Sequence, residues 1–211
     1  MAVHDEQAPQ EDTPLLKRDP KLPFPAWLQA LVEAFSWKLL FTVVCAQHVL
    51  KGFVAGGGDS GLLGVPMEFL FKEYQIHGGR MQVYMAVAVS PWALKPVIGL
   101  LSDSCPIFGY QKTPYIMASL VGGLMAVLAL GLYGTSLTLA ELVSCLFVAF
   151  FAVSSVDLLV KATVSAQVKK VATHGPDFFL FQWGGIVVGM IASALLVGPL
   201  LHYWSARHCY L

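Results

Sequence analysis

The stretch "VAVSPWALKPVIGLLSDSCPIFGYQKTPY", Val87 to Tyr115, begins apolar enough to lie in a membrane, yet it sets a lysine directly before a proline, Lys95 and Pro96. With the residues before it, it predicts a membrane-crossing helix over 83–101. Lys95 then lies about eight residues short of Asp103, roughly 12 Å deep at about 1.5 Å per residue. An ammonium near the middle of a spanning helix costs about 2.5 to 3.5 kcal/mol on insertion scales, and such charges usually face a bundle interior or a water-filled path. Snorkelling of the four-carbon stem toward headgroups is the alternative, and both stay open at this point. Pro96 has no N–H for the carbonyl one turn earlier, around Trp92, so it bends the helix there.

Composition sets the class. Of 211 residues 56% are hydrophobic and 12% charged, with a mean hydropathy of +0.67, where a soluble domain carries about 25% charged residues. A chain in lipid must satisfy its own backbone, so the fold class is an all-α membrane protein. The formal net charge of +0 gives no reason to expect nucleic acid as a partner, which would need a basic face to neutralise phosphates. Cys45 and Cys145 fall in apolar segments, Cys105 in a short loop and Cys209 near the end, a scatter that makes neither a metal set nor a disulfide framework. The chain has no asparagine and hence no N-glycosylation acceptor. No nucleophile with its base, phosphate loop or metal-ligand cluster stands out, so neither an enzyme nor a cofactor is expected.

Residues 1–35 read as a disordered cytoplasmic tail, polar and proline-rich as far as Pro25. Within it "EDTPLL", Glu11 to Leu16, looks like an acidic dileucine sorting signal. Residues 36–201 form a partial transmembrane bundle. About five spans are expected: one interrupted at 39–71, then 83–101, 115–134, 137–160 and 178–201. The interruption falls at Gly56, Gly57, Gly58 and Asp59. With the N-terminus inside, Lys17, Arg18, Lys21, Lys38, Lys112, Lys169 and Lys170 lie on the cytoplasmic side and Lys72, Arg80 and Arg207 outside, the bias that basic loops favour. Residues 202–211 read as a truncated end.

"PWALKPVIGLLSDSCPIFGYQKTPY" resembles the signature of the folate-biopterin transporter family, a branch of the major facilitator superfamily. Its W-x-x-K-P-x-x-G-x-x-S-D core is followed by P-x-x-G-Y, a basic residue and P-Y. Trp92, Lys95, Pro96, Gly99, Ser102, Asp103, Pro106, Gly109, Tyr110, Lys112, Pro114 and Tyr115 stand at matching positions. "FLFKEY", Phe69 to Tyr74, and "FQWGGIVVG", Phe181 to Gly189, are similar to weaker elements of the same family. The turn "YQKTPY" has less arginine than the family pattern, and an architecture of roughly twelve spans is represented by its first five. The resemblance implies a facilitator-type N-terminal helical bundle and a gating loop in which Asp103, Gly109, Tyr110 and Lys112 latch the inward side. It also implies alternating access coupled to protons.

The fourth span adds Asp157 and Lys161, four residues apart on one helix face. Facilitator folds set this span beside the second, so a pair of Asp157 with Lys95 across helices and a local pair with Lys161 are both open. A deep pair offers an anion site and a proton site together. Trp92, Trp183 and Gln182 suit stacking and hydrogen bonding to a flat pterin or folate ring, although Trp183 also reads as an interfacial anchor. In the first span His48 and Lys51 face either the cavity or Asp59, and Lys51 joins the candidate site. Gly185 and Gly189, like Gly122, Gly123 and Gly131, read as close helix packing. The expected function is transport of a folate- or pterin-type small molecule in a lipid bilayer, coupled to protons, at a plasma, endosomal or lysosomal membrane. The alternative is a truncated, non-transporting chain that assembles with a full-length relative or a second half-chain.

Overall fold

The structure, a computed structural model, describes residues 24–58, 60–107 and 109–210, and every regular element among them is helical. Helix α1 covers Phe24–Phe35 and α2 covers Trp37–Val43, continuing as a wide π turn over Val44–Val54. After a 3₁₀ turn at Gly56–Gly58 come α3 (Gly64–Glu73), α4 (Gly78–Val89), α5 (Lys95–Ser104), α6 (Thr113–Tyr133), α7 (Leu139–Val168) and α8 (Gly175–Tyr203). Five helical stretches are long and apolar enough to cross a membrane: Trp37–Val54, Gly78–Ser104, Thr113–Tyr133, Leu139–Val171 and Gly175–Tyr203. The chain is an all-α, multi-pass integral membrane protein.

Helix α7 runs through the middle. Its start is fixed by a capping box in which Glu141 N–H donates to Thr138 Oγ1 and Thr138 N–H donates to Glu141 Oε2. Two apolar clusters form along it. The first joins Met67, Leu70 and Phe71 of α3 to Leu130 of α6 and to Leu142, Leu146 and Phe150 of α7. The second joins Leu31 and Phe35 of α1 and Val43 of α2 to Val156, Val160 and Val164 of α7 and Phe178 of α8. Asp157 therefore sits where one apolar core gives way to the other.

The tail expected over residues 1–35 is helical from Phe24. Leu31 and Phe35, one turn apart, are buried, and Phe35 meets Phe178 with ring centroids 5.0 Å apart. Burial of that face supplies what composition around Pro25 did not reveal. The dileucine motif and Asp59 lie outside the described residues. At the other end of the bundle a 3₁₀ turn over Ala206–Tyr210 docks on α3: Tyr210 is buried and its hydroxyl donates to Leu63 O at 2.9 Å. Nearby, Tyr74 Oη donates to Leu137 O at 2.6 Å.

Candidate functional site

The second span is broken where its two prolines require it. Helix α4 ends at Val89, Ser90–Trp92 tighten into a 3₁₀ turn, and α5 restarts at Lys95 with Pro96 in its first turn, where a missing N–H costs nothing. A buried carbonyl at this break finds a partner in span four, since Ser154 Oγ donates to Pro91 O at 3.0 Å. Lys95 thus becomes the first residue of a helix, an unfavourable place for a cation. The compensating charge stands opposite it on α7.

Asp157 Oδ2 lies 2.5 Å from Lys95 Nζ. Its Oδ1 lies 3.0 Å from Lys161 Nζ and 3.2 Å from Lys51 Nζ. Spans one, two and four therefore converge on a single carboxylate that is only 1% exposed. Neither of the two pairings left open by the sequence excludes the other, because both form at once. Lys51 faces Asp157, whereas His48 turns to α8 and sets its ring 4.9 Å from that of Phe181. Lys161 keeps the local i, i+4 pair with Asp157 and is at the same time the third cation of the cluster.

Aromatic rings frame the cations. Lys95 Nζ stands 4.1 Å from the Trp92 ring centroid, and Lys51 Nζ stands 5.8 Å from the rings of both Trp92 and Trp183. Such contacts contribute about 0.5 to 2 kcal/mol each, more when water is excluded. Gln182 is buried, and with Trp183 and Lys161 it lines a cleft of about 210 Å³ between α7 and α8. Trp183 itself is 57% exposed. Lysine exposure is graded, at 10% for Lys51, 24% for Lys95 and 35% for Lys161. One turn before Lys51, the Gln47 amide is buried with no hydrogen-bond partner among the described residues.

Asp103, in the last turn of α5, and Gly109, Tyr110 and Lys112, on the turn between α5 and α6, stand apart from this cluster. Ile107 and Tyr110 exchange backbone hydrogen bonds of 3.0 Å, and Gly109 has φ +80°, a conformation in which a Cβ is strained. Tyr115 Oη donates to Cys105 O at 2.7 Å and ties the turn to α6. Asp103 and Tyr110 are exposed. A larger groove of about 980 Å³ between the π turn of span one and α8 is lined by Phe53, Phe181 and Val188, with His48 its one imidazole. It is nearly all apolar, whereas the buried charges gather at Asp157.

A family model described as the BT1 family matches residues 57–211. The chain belongs to the BT1 family. Among curated relatives it is 27% identical to the probable folate-biopterin transporter 6 of Arabidopsis thaliana, over 82% of this chain and 34% of that one. It is 31% identical to the folate-biopterin transporter of Synechocystis sp., over 84% of this chain and 34% of that protein. Against folate transporter 1 of Plasmodium falciparum the identity is 27%, over 68% of this chain and 28% of the relative. The chain thus spans about a third of the length of these BT1 relatives. No solved structure matches it.

Proposed function

We propose that this chain is the N-terminal part of a transporter that moves folate- or pterin-type substrates across a membrane by alternating access. The observation that supports this reading is a buried carboxylate ringed by three lysines from three spans, with indoles beside it. An intramembrane cluster of charge is expensive unless it serves a path or a ligand. Here the ammonium groups receive a substrate carboxylate, and Trp92, Trp183 and Gln182 receive the flat ring. Asp157 is the proton-linked group of the coupled cycle. The end bearing Lys38, Lys112, Lys169 and Lys170 faces the cytoplasm, with the Asp103 to Lys112 turn as the inner latch.

The test is uptake of labelled folate and pterin, under a proton gradient, by liposomes holding this chain in a full-length transporter context. Lys95→Ala is expected to abolish saturable uptake at unchanged protein level; uptake within about twofold of the parent removes Lys95 from the site. Asp157→Asn is expected to flatten the pH dependence of uptake as well as lower its rate, and an unchanged profile removes the proton role. A second reading, favoured by the partly exposed Lys95 and Lys161, is a chain that carries nothing alone and assembles with a relative or a second half-chain. On that reading accumulation starts only when the second chain is added.

A further inference from the structure

The cluster is not neutral. Three ammonium groups share one carboxylate, which leaves two positive charges in excess at a point between two apolar cores. Resting on the transport reading above, we infer that the site is built for a dianion, the two carboxylates of a glutamyl-type tail, and discriminates against uncharged pterins. The three lysines divide into different roles. Lys51 is the most buried and is flanked by Trp92 and Trp183, so it stays with Asp157. Lys95 and Lys161 are more exposed and approach opposite oxygens of Asp157, Oδ2 and Oδ1. Their ammonium groups therefore form two separate seats on either side of one carboxylate. Two carboxylates on a short tether fit such seats better than one compact doubly charged anion, whose charge is centred on a single atom. Beside Lys161, the cleft lined by Gln182 and Trp183 takes the aromatic end of the same molecule.

Four organic probes on the purified full chain at low salt test the inference through quenching of its tryptophan fluorescence. Folate carries the ring and two carboxylates, pteroate the ring and one, biopterin a pterin ring and none, and aminobenzoylglutamate two carboxylates without the pterin. Folate is expected to bind about tenfold or more tighter than pteroate, the range of one charge-assisted hydrogen bond. Biopterin should be weakest, aminobenzoylglutamate should compete with folate, and salt should narrow the gaps. Inorganic sulfate should compete poorly; competition equal to that of aminobenzoylglutamate overturns the paired-seat geometry. Lys161→Met removes one charge, and should bring folate and pteroate within about twofold of each other. Should that variant misfold, the ligand series on the parent chain still decides. Equal affinity for folate, pteroate and biopterin overturns the dianion inference and leaves the transport site standing. If none of the four organic probes binds, both fall.

Discussion

At Asp157 the charge matters more than the shape. Asparagine has nearly the same size, but Asp157→Asn leaves three ammonium groups in one place without a counter-charge. Breaking a buried pair in this way costs about 3 to 5 kcal/mol, to be read as a lowered unfolding midpoint in detergent. A variant as stable as the parent would show that water reaches the cluster freely. Gln47, one turn from Lys51, behaves in the opposite sense. Its amide is buried without a partner among the described residues, and removing an unsatisfied polar group relieves about 1 to 3 kcal/mol. Gln47→Leu is thus expected to leave stability unchanged or raise it, and a clear loss would mean that the amide is bonded in the folded chain. The depth of Lys95 and the i, i+4 spacing of Lys161 were legible in the sequence. The direction of Lys51 was not, because the π turn over Val44–Val54 sets which face it occupies, and apolar periodicity does not encode that widening.

Among the elements, the tightest approach is between the π turn of span one and α8. A Cβ on Gly189 would stand 2.5 Å from His48 O, and one on Gly52 would stand 2.7 Å from Ile186 O, both backbone atoms that cannot swing aside. Gly184, on the same helix, has nothing within 4 Å. Gly189→Ala should therefore cost about 1 to 3 kcal/mol by overpacking, while Gly184→Ala should be neutral or gain about 0.5 to 1 kcal/mol from helix propensity. Thermal midpoints of the two variants check the contrast, and equal midpoints would mean the helices are not in register at these glycines. The packing role of Gly185 and Gly189 could be read from their spacing, since small residues four apart line one face. The break in span two could be read from Pro96. Its partner Ser154 could not, because only the packing of α7 against that break sets the hydroxyl under the Pro91 carbonyl.

Over the whole molecule, the end opposite the Asp103 turn is closed by phenols. Burial pushes the Tyr210 phenol up from its ordinary 10.0. A folded value raised above the unfolded one means that its contribution is complete below about pH 10 and is lost as pH rises beyond it. Tyr210→Phe should cost about 0.5 to 1.5 kcal/mol near neutrality, through the lost bond to Leu63 O. Above pH 10 the gap to the parent should narrow, because phenylalanine has no proton to lose; a gap that widens with alkali would put Tyr210 outside the folded core. The convergence of three spans on one carboxylate also has a meaning in time. Lys51 and Lys95 are made before Asp157, and Lys95 precedes it by 62 residues. At about 5 to 20 residues per second, the ribosome needs roughly 3 to 12 s to supply that counter-charge, whereas a helix forms in about a microsecond. For those seconds the growing chain holds two lysines without the carboxylate that meets them in the folded bundle. Any pause in translation between Lys95 and Asp157 lengthens that interval, and with it the time that two intramembrane cations go without their counter-charge.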